Sequence, residues 1–136
     1  MKKIVLFLVV ITSLLSCSLN DDSPTYTYEV LPIDSYVVPA SFTLGQTYEI
    51  KLKYQKPTVC HIYQGIYYEK NLNTRTIAIQ TAVEKNQVCT MQLPPLSEVS
   101  FNFIVSNTGS YIFKFYKGED ATGKEIFEDV EVPVVP

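Results

Sequence analysis

At 136 residues, with 11 basic and 14 acidic side chains and a net charge of −3, the chain has room for one hydrophobic core, the default at this length. Its acidic balance excludes a nucleic-acid partner, whose phosphate backbone calls for a basic face. Ten Tyr and seven Phe against no Trp, with many Val, Ile and Thr, favour strands, because branched and aromatic side chains fit a pleated, half-buried surface.

The chain opens on a basic start, Met1-Lys2-Lys3, followed by an apolar run from Ile4 to Val10 and a stretch that ends on the small residue Ser16 before Cys17. That order is the order of a secretory signal, and the run is too short to span a bilayer comfortably. Leu14-Leu15-Ser16-Cys17 resembles the lipobox of bacterial lipoproteins: Cys17 stands at the lipidated position, Ser16 at the small residue before the cut, and Leu14 three before the cysteine, while Leu15 is larger than the residue commonest at its place. The resemblance implies a signal peptide over residues 1–16 that is removed and acyl chains, palmitate among them, on Cys17. The mature charge is then −5, from nine basic and 14 acidic residues. Each buried methylene contributes about 0.8 kcal/mol and one chain holds only marginally, so two or three chains make the attachment effectively permanent. Ser18-Leu19-Asn20-Asp21-Asp22-Ser23-Pro24 is short, polar and acidic, and residues 17–27 therefore read as the lipidated cysteine and a flexible tether. Asp21-Asp22 resembles the acidic tract of surface-exported lipoproteins of Bacteroidota, although it stands farther from the cysteine. The expected address is the cell envelope, at the outer membrane, with the cell-surface and periplasmic faces both open.

From residue 28 to 136, period-two alternation recurs between clusters of Gly, Pro and Asn, the pattern of half-buried strands. Less regular strands are expected over Val30 to Val38, Cys60 to Tyr68, Val88 to Leu93 and Ile126 to Val134. The clearest strand is Tyr48 to Tyr54, where Tyr48, Ile50, Leu52 and Tyr54 point one way and Glu49, Lys51 and Lys53 point to water. Ile77, Ile79 and Val83 share a face in the next clear run, then Val99, Phe101, Phe103 and Val105, then Tyr111, Phe113 and Phe115. Asn107-Thr108-Gly109 and Lys117 to Gly123 supply residues that tolerate positive φ or make local turn hydrogen bonds, and join neighbouring strands.

Seven or eight short strands at this spacing predict an all-β fold, an antiparallel two-sheet sandwich of the immunoglobulin-like kind; a partly open barrel gives the same alternation. Asn107-Thr108-Gly109-Ser110-Tyr111 resembles the tyrosine corner of that fold, with Gly109 and Tyr111 matching, Asn107 in place of the aspartate, and no cysteine two residues after Tyr111. The whole pattern resembles the small lipoproteins of Bacteroidota that carry an immunoglobulin-like domain, which implies a location and an architecture.

With Cys17 lipidated, Cys60 and Cys89 remain as an even pair in an oxidising compartment, and a disulfide between them is expected. Each falls on the inward face of its expected strand, Cys60 with Ile62, and Cys89 with Met91 and Leu93. In the chain-entropy model, closing a loop of about 30 residues stabilises the fold by roughly 3 to 4 kcal/mol. A metal role is not expected: Cys60 and His61 are strand neighbours that point to opposite faces, and His61 is the only histidine. The same lone histidine supplies no Ser-His-Asp or Cys-His arrangement, so no enzyme and no cofactor are expected, and His61 reads as a surface or half-buried residue. Glu119, Asp120, Glu125, Glu128, Asp129 and Glu131 match no calcium-loop spacing and read as a solvated strand face and hairpin tip. Tyr63, Tyr67 and Tyr68 flank Gly65 and are the ligand-binding candidates, since tyrosine joins broad apolar area to a hydroxyl; the competing reading makes them sheet packing around a bulge at Gly65.

The function expected from these features is a lipid-anchored, non-enzymatic binding or envelope-interaction domain with a protein or glycan partner. Two alternatives stand beside it. A carbohydrate-processing enzyme or accessory requires carboxylates facing each other across a groove with aromatic platforms. A protease inhibitor on an immunoglobulin-like scaffold rests on fold analogy alone.

Overall fold

Inward-facing aromatics and aliphatics on alternating strands need a second layer to cover them, and two sheets supply it. A computed structural model describes residues 23–136; the expected signal peptide, Cys17 and the expected tether up to residue 22 lie outside the described residues. Ten strands follow in chain order: β1 (Tyr26–Leu31), β2 (Ser35–Val37), β3 (Phe42–Thr43), β4 (Thr47–Tyr54), β5 (Ile62–Asn71), β6 (Thr74–Glu84), β7 (Ser97–Ile104), β8 (Tyr111–Glu119), β9 (Glu125–Val132) and β10 (Val134–Val135). Strand structure begins at Tyr26, inside the expected tether, because Tyr26 and Thr27 pair with Glu84 and Val83.

β1, β5, β6, β8 and β9 form one sheet, β2, β4 and β7 the other, and β3 with β10 a short parallel ladder. β6 is the spine of the larger sheet. It pairs with β5 over Thr74–Ala82 on one edge, while the other edge is divided between β8 over Thr74–Ile77 and β1 over Ile79–Glu84. The chain passes from β6 through β7 in the opposite sheet before returning as β8, so β8 lies parallel to β6. This pairing and β3–β10 depart from the expected wholly antiparallel arrangement. Three of the ten strands hold three residues or fewer, leaving seven of ordinary length. The fold is an all-β sandwich, and no barrel closes.

The core fills the space between the sheets with Ile77 and Ile79 of β6, Phe113 and Phe115 of β8, Ile50 and Leu52 of β4, and Phe103 of β7, all buried. Phe42 sits at its centre, with ring centroids 4.9 Å from Tyr48, 5.1 Å from Phe103 and 6.0 Å from both Tyr111 and Phe113. Tyr111 completes a tyrosine corner: its ring is buried and its hydroxyl oxygen accepts from the Ser106 and Asn107 amides at 3.2 and 2.9 Å. Burial raises that hydroxyl's pKa, but the hydrogen bonds from Ser106 and Asn107 and the charge of Arg75 outweigh it and hold the group below the ordinary tyrosine value.

Two expected strands are corrected. Val30 to Val38 is broken by Pro32, which has no N–H to give a ladder; there the chain leaves one sheet for the other, with the Ile33 amide donating to Tyr116 O and the Asp34 amide to Lys53 O, each at 2.8 Å. Val88 to Leu93 forms no strand. Val88 is 98% and Met91 90% exposed, and Pro94-Pro95 removes two amide donors just before β7. The Cys60–Cys89 disulfide is formed, with its Cα atoms 6.0 Å apart, but not by two inward-facing strand residues. Cys60 is buried in a turn before β5, Ile62 faces outward at 48% exposure, and Cys89 lies on the exposed loop with Leu93.

Candidate functional site

β5 carries the three candidate tyrosines, and a bulge decides where they point. Tyr63 pairs with Thr81 but Gly65 with Gln80, so Gln64 is the extra residue and the alternation resets there. Tyr63 and Tyr68 share the inward face of the sheet, Tyr63 with its ring 6.3 Å from Tyr54 and Tyr68 edge-on to Phe101 at 5.7 Å. Tyr67, opposite Ala78, stands on the outward face. The structure therefore does not bring the three together. All are between 39% and 43% exposed, each at a different spot, and the bulge belongs to the packing reading.

The outward face of the larger sheet holds the site that Tyr67 does join. Residues of β6 alternate, and of those pointing out Thr76, Ala78 and Ala82 are short, with Gln80 the one longer side chain among them. A short row between taller neighbours makes the floor of a groove. One wall is β5, with Ile62, Gln64, Tyr67 and Glu69; the other is β1, with Tyr26, Tyr28 and Val30, continued by Lys114, Tyr116 and Phe127 of β8 and β9. One end, over Thr76 and Ala78, has a volume of about 600 Å³, and two hollows of about 290 Å³ continue it along β6. That size fits the range of small-ligand clefts.

Three aromatic rings and three carboxylates meet at the end over Thr76 and Ala78. Tyr116 is buried in the wall with its ring centroid 5.7 Å from that of Phe127. Burial, then the charges of Glu119 and Glu125, push its hydroxyl up. The Tyr67 hydroxyl donates to Glu69 Oε2 at 3.0 Å; that hydrogen bond, the Glu69 charge, slight burial and the charge of Glu125 raise it. Glu125 is thus felt from both walls. Lys114 is held by Asp129 at 2.9 and 3.1 Å and lies 5.6 Å from the Phe127 ring centre, so the local balance of the groove is negative.

Asp120 and Glu128 have local partners. Asp120 accepts from the Thr122 amide and hydroxyl and the Lys124 amide at the β8–β9 turn, and Glu128 accepts from the Tyr36 hydroxyl at 2.8 Å and pairs with Lys117 at 3.1 Å. The hairpin-tip and solvated-face reading fits these, whereas Glu119 and Glu125 line the groove. His61 is a second correction: it is 7% exposed, not at the surface. Its Nδ1 accepts from the Thr58 amide at 3.3 Å, which leaves Nε2–H to donate to Glu29 at 3.1 Å across β6. Among the described residues no three His, Cys, Asp or Glu side chains converge as metal ligands would.

Tyr116, Phe127 and the floor were not among the sequence candidates. The available signal was the run of mostly short outward residues Thr76, Ala78, Gln80 and Ala82 opposite the inward Ile77, Ile79 and Val83.

A two-layer, disulfide-tied β-sandwich with an aromatic-walled groove on one outer face is the class these features define. Residues 50–126 match the ORF11 beta-sandwich domain, and the chain belongs to that family. The match runs from within β4 to the start of β9, so it contains the spine β6 and most of the groove but not β1. Comparison with curated proteins and with solved structures finds no match.

Proposed function

We propose that the chain is a lipid-anchored envelope lipoprotein that presents a non-enzymatic binding domain, and that the outward groove along β6 captures a neutral glycan chain. The observation that carries the reading is the pair of aromatic walls, Tyr28 and Tyr67 exposed and Phe127 beside them, over the short floor of β6. Aromatic faces stack on the C–H faces of sugar rings while carboxylates and the Gln80 amide exchange hydrogen bonds with hydroxyls. Glu69, Glu119 and Glu125 repel anionic polymers, which selects uncharged chains. The lipobox-like Leu14-Leu15-Ser16-Cys17 supports the anchor, with Cys17 as the acylated residue and the outer membrane as the site.

Titration with soluble neutral oligosaccharides, against polyuronate as the charged control, tests the groove. Binding of a neutral chain that Tyr67→Ala and Phe127→Ala abolish, with the fold intact, is the expected result. Equal binding of polyuronate, or neutral-chain binding indifferent to both substitutions, overturns it. Intact-mass measurement of membrane-extracted protein tests the anchor: a mature species beginning at Cys17 with added acyl mass is expected, and Cys17→Ala should release the protein from membranes.

The shared depression of Glu69, Glu119 and Glu125 with the three rings also favours a second reading, a carbohydrate-processing enzyme. Release of new reducing ends that Glu125→Gln stops, without loss of binding, would replace the first reading with this one.

A further inference from the structure

Arg75 is buried on the inward face of β6 at 2% exposure. Its Nη1 donates to Leu72 O at 2.7 Å and Thr74 O at 2.8 Å, and its guanidinium carbon lies 5.1 Å from the Tyr111 ring centre and 5.7 Å from that of Phe103. Its Nε is buried with no hydrogen-bond partner, and among the described residues no carboxylate pairs with it. Two carbonyls and two aromatic faces offset part of the cost of burying a cation; a counter-ion is what the site lacks.

Arg75 also borders a cavity. Where the edges of β5 and β7 part, a mouth of about 440 Å³ opens between the two sheets. Ile66, Tyr68, Phe101 and Phe103 make its apolar walls, Lys70 joins Arg75 as its second cation, and among the described residues no acidic side chain lines it. In a chain with an acidic excess, a pocket whose charged lining residues are both cations is complementary to an anion. A guanidinium fork matches the planar, two-oxygen geometry of a carboxylate, and the apolar walls favour an anion that carries an apolar body over a strongly hydrated inorganic one.

We propose that this mouth binds a small organic carboxylate, its charge set against Arg75 and Lys70 and its apolar body against Tyr68 and Phe101. Tyr68 is the door. It is 43% exposed, and the charge of Arg75 and a hydrogen bond from it oppose the upward push of burial on the Tyr68 hydroxyl, a partner that the carboxylate replaces. Rotation of such an edge side chain is fast, and turning it outward uncovers the guanidinium. The site is separate from the groove, which lies on the opposite face of β6.

The test is titration of the full chain with 3-phenylpropionate, its uncharged amide and inorganic phosphate, followed by backbone and ring shifts of Phe101 and Tyr68. The acid is expected to bind at least about tenfold tighter than the amide, as loss of a charged hydrogen-bond partner implies, and phosphate not to compete. Lys70→Gln, at an exposed position, should weaken the acid several-fold. Tyr68→Glu supplies Arg75 with a carboxylate from the chain itself and should abolish binding while leaving the folded spectrum in place, which separates loss of the site from loss of the fold. Acid and amide binding equally, phosphate binding as well as the acid, no shift at Phe101 at millimolar ligand, or undiminished binding in Tyr68→Glu each overturn the proposal.

Discussion

The two long sides of the sandwich are closed by different means. On the side where β2 faces β9, the layers are stitched: β3 and β10 pair across the gap, Phe42 N–H reaches Pro133 O at 2.8 Å, and Tyr36, stacked on Phe115 at 4.1 Å, donates to Glu128. Lys117 adds to the stitch, bonding Ile33 O, Asp34 O and Glu128. On the side where β5 faces β7, no strand among the described residues bridges the gap. Tyr63 against Tyr54 and Tyr68 against Phe101 are the ring contacts there, with the disulfide beyond the start of β5. A sandwich has to bury both faces of its core, but it needs only one stitched side to fix the sheets, and the other is left available for a cavity.

The largest test of this difference is Phe42→Ala. Phe42 is fully buried among four aromatic rings, and its removal leaves a cavity that rigid neighbours cannot fill, so a loss of about 3–5 kcal/mol is expected in urea unfolding. Loss well below that range would mean that the β3–β10 side repacks freely and is not the fixed one.

Breaking the disulfide by Cys60→Ala with Cys89→Ala comes next and acts on the open side. A loss of about 2–4 kcal/mol is expected from the freed loop, and hydrogen exchange should rise in the 87–96 loop and at the start of β5 before it rises in β8. Uniform loosening of both sides would contradict the separation.

Tyr111→Phe is smaller. It removes the hydroxyl that accepts from Ser106 and Asn107 and leaves those amides unpaired, for an expected cost of about 1–3 kcal/mol. Because Gly109 O accepts from Val134 on the stitched side while Ser106 lines the mouth on the open one, shifts in amide spectra are expected on both sides from this one change.

The same contrast explains what was legible in the sequence. Strands buried on one face announce themselves: Tyr48 to Tyr54, Val99 to Val105 and Tyr111 to Phe115 alternate strictly, and each lies where that alternation puts it. The Asn107 to Tyr111 corner was legible too, since its hydrogen bonds are local. Val88 to Leu93 misled because its apolar residues are spaced like a strand's but have no ladder partner, and what holds the segment is a covalent bond at Cys89 and the Gln55 side chain donating to Pro94 O at 2.7 Å. The faces of the three tyrosines of β5 were hidden by a single inserted residue, Gln64, which puts Tyr63 on the face of Tyr68 where strict alternation would put it with Tyr67. The groove depends on β6 lying between β5 and the shared edge of β1 and β8, a long-range arrangement that no local pattern specifies.

The smallest expected effect lies in the stitch itself and is read as a pH dependence. The Tyr36 hydrogen bond first, then that of Lys117, against slight burial and with the Lys117 charge, hold Glu128 below the ordinary glutamate value. A group whose folded pKa is depressed stabilises the fold above its unfolded pKa, and that contribution is lost as the pH falls through the folded value. Glu128→Gln should therefore lower the melting temperature slightly at neutral pH, with the difference from the parent shrinking as the solution is acidified past the ordinary glutamate range. Asp120 is depressed as well, chiefly by the Thr122 hydroxyl, but it closes a hairpin turn and touches neither layer gap. Asp120→Asn should show the same pH trend while leaving Tyr36 undisturbed, whereas Glu128→Gln should also lower the Tyr36 titration, which burial and then Glu128 raise. Ring-carbon shifts of Tyr36 distinguish the two, and an unchanged Tyr36 in Glu128→Gln would mean that the stitch is carried by the β3–β10 ladder and Lys117 without it.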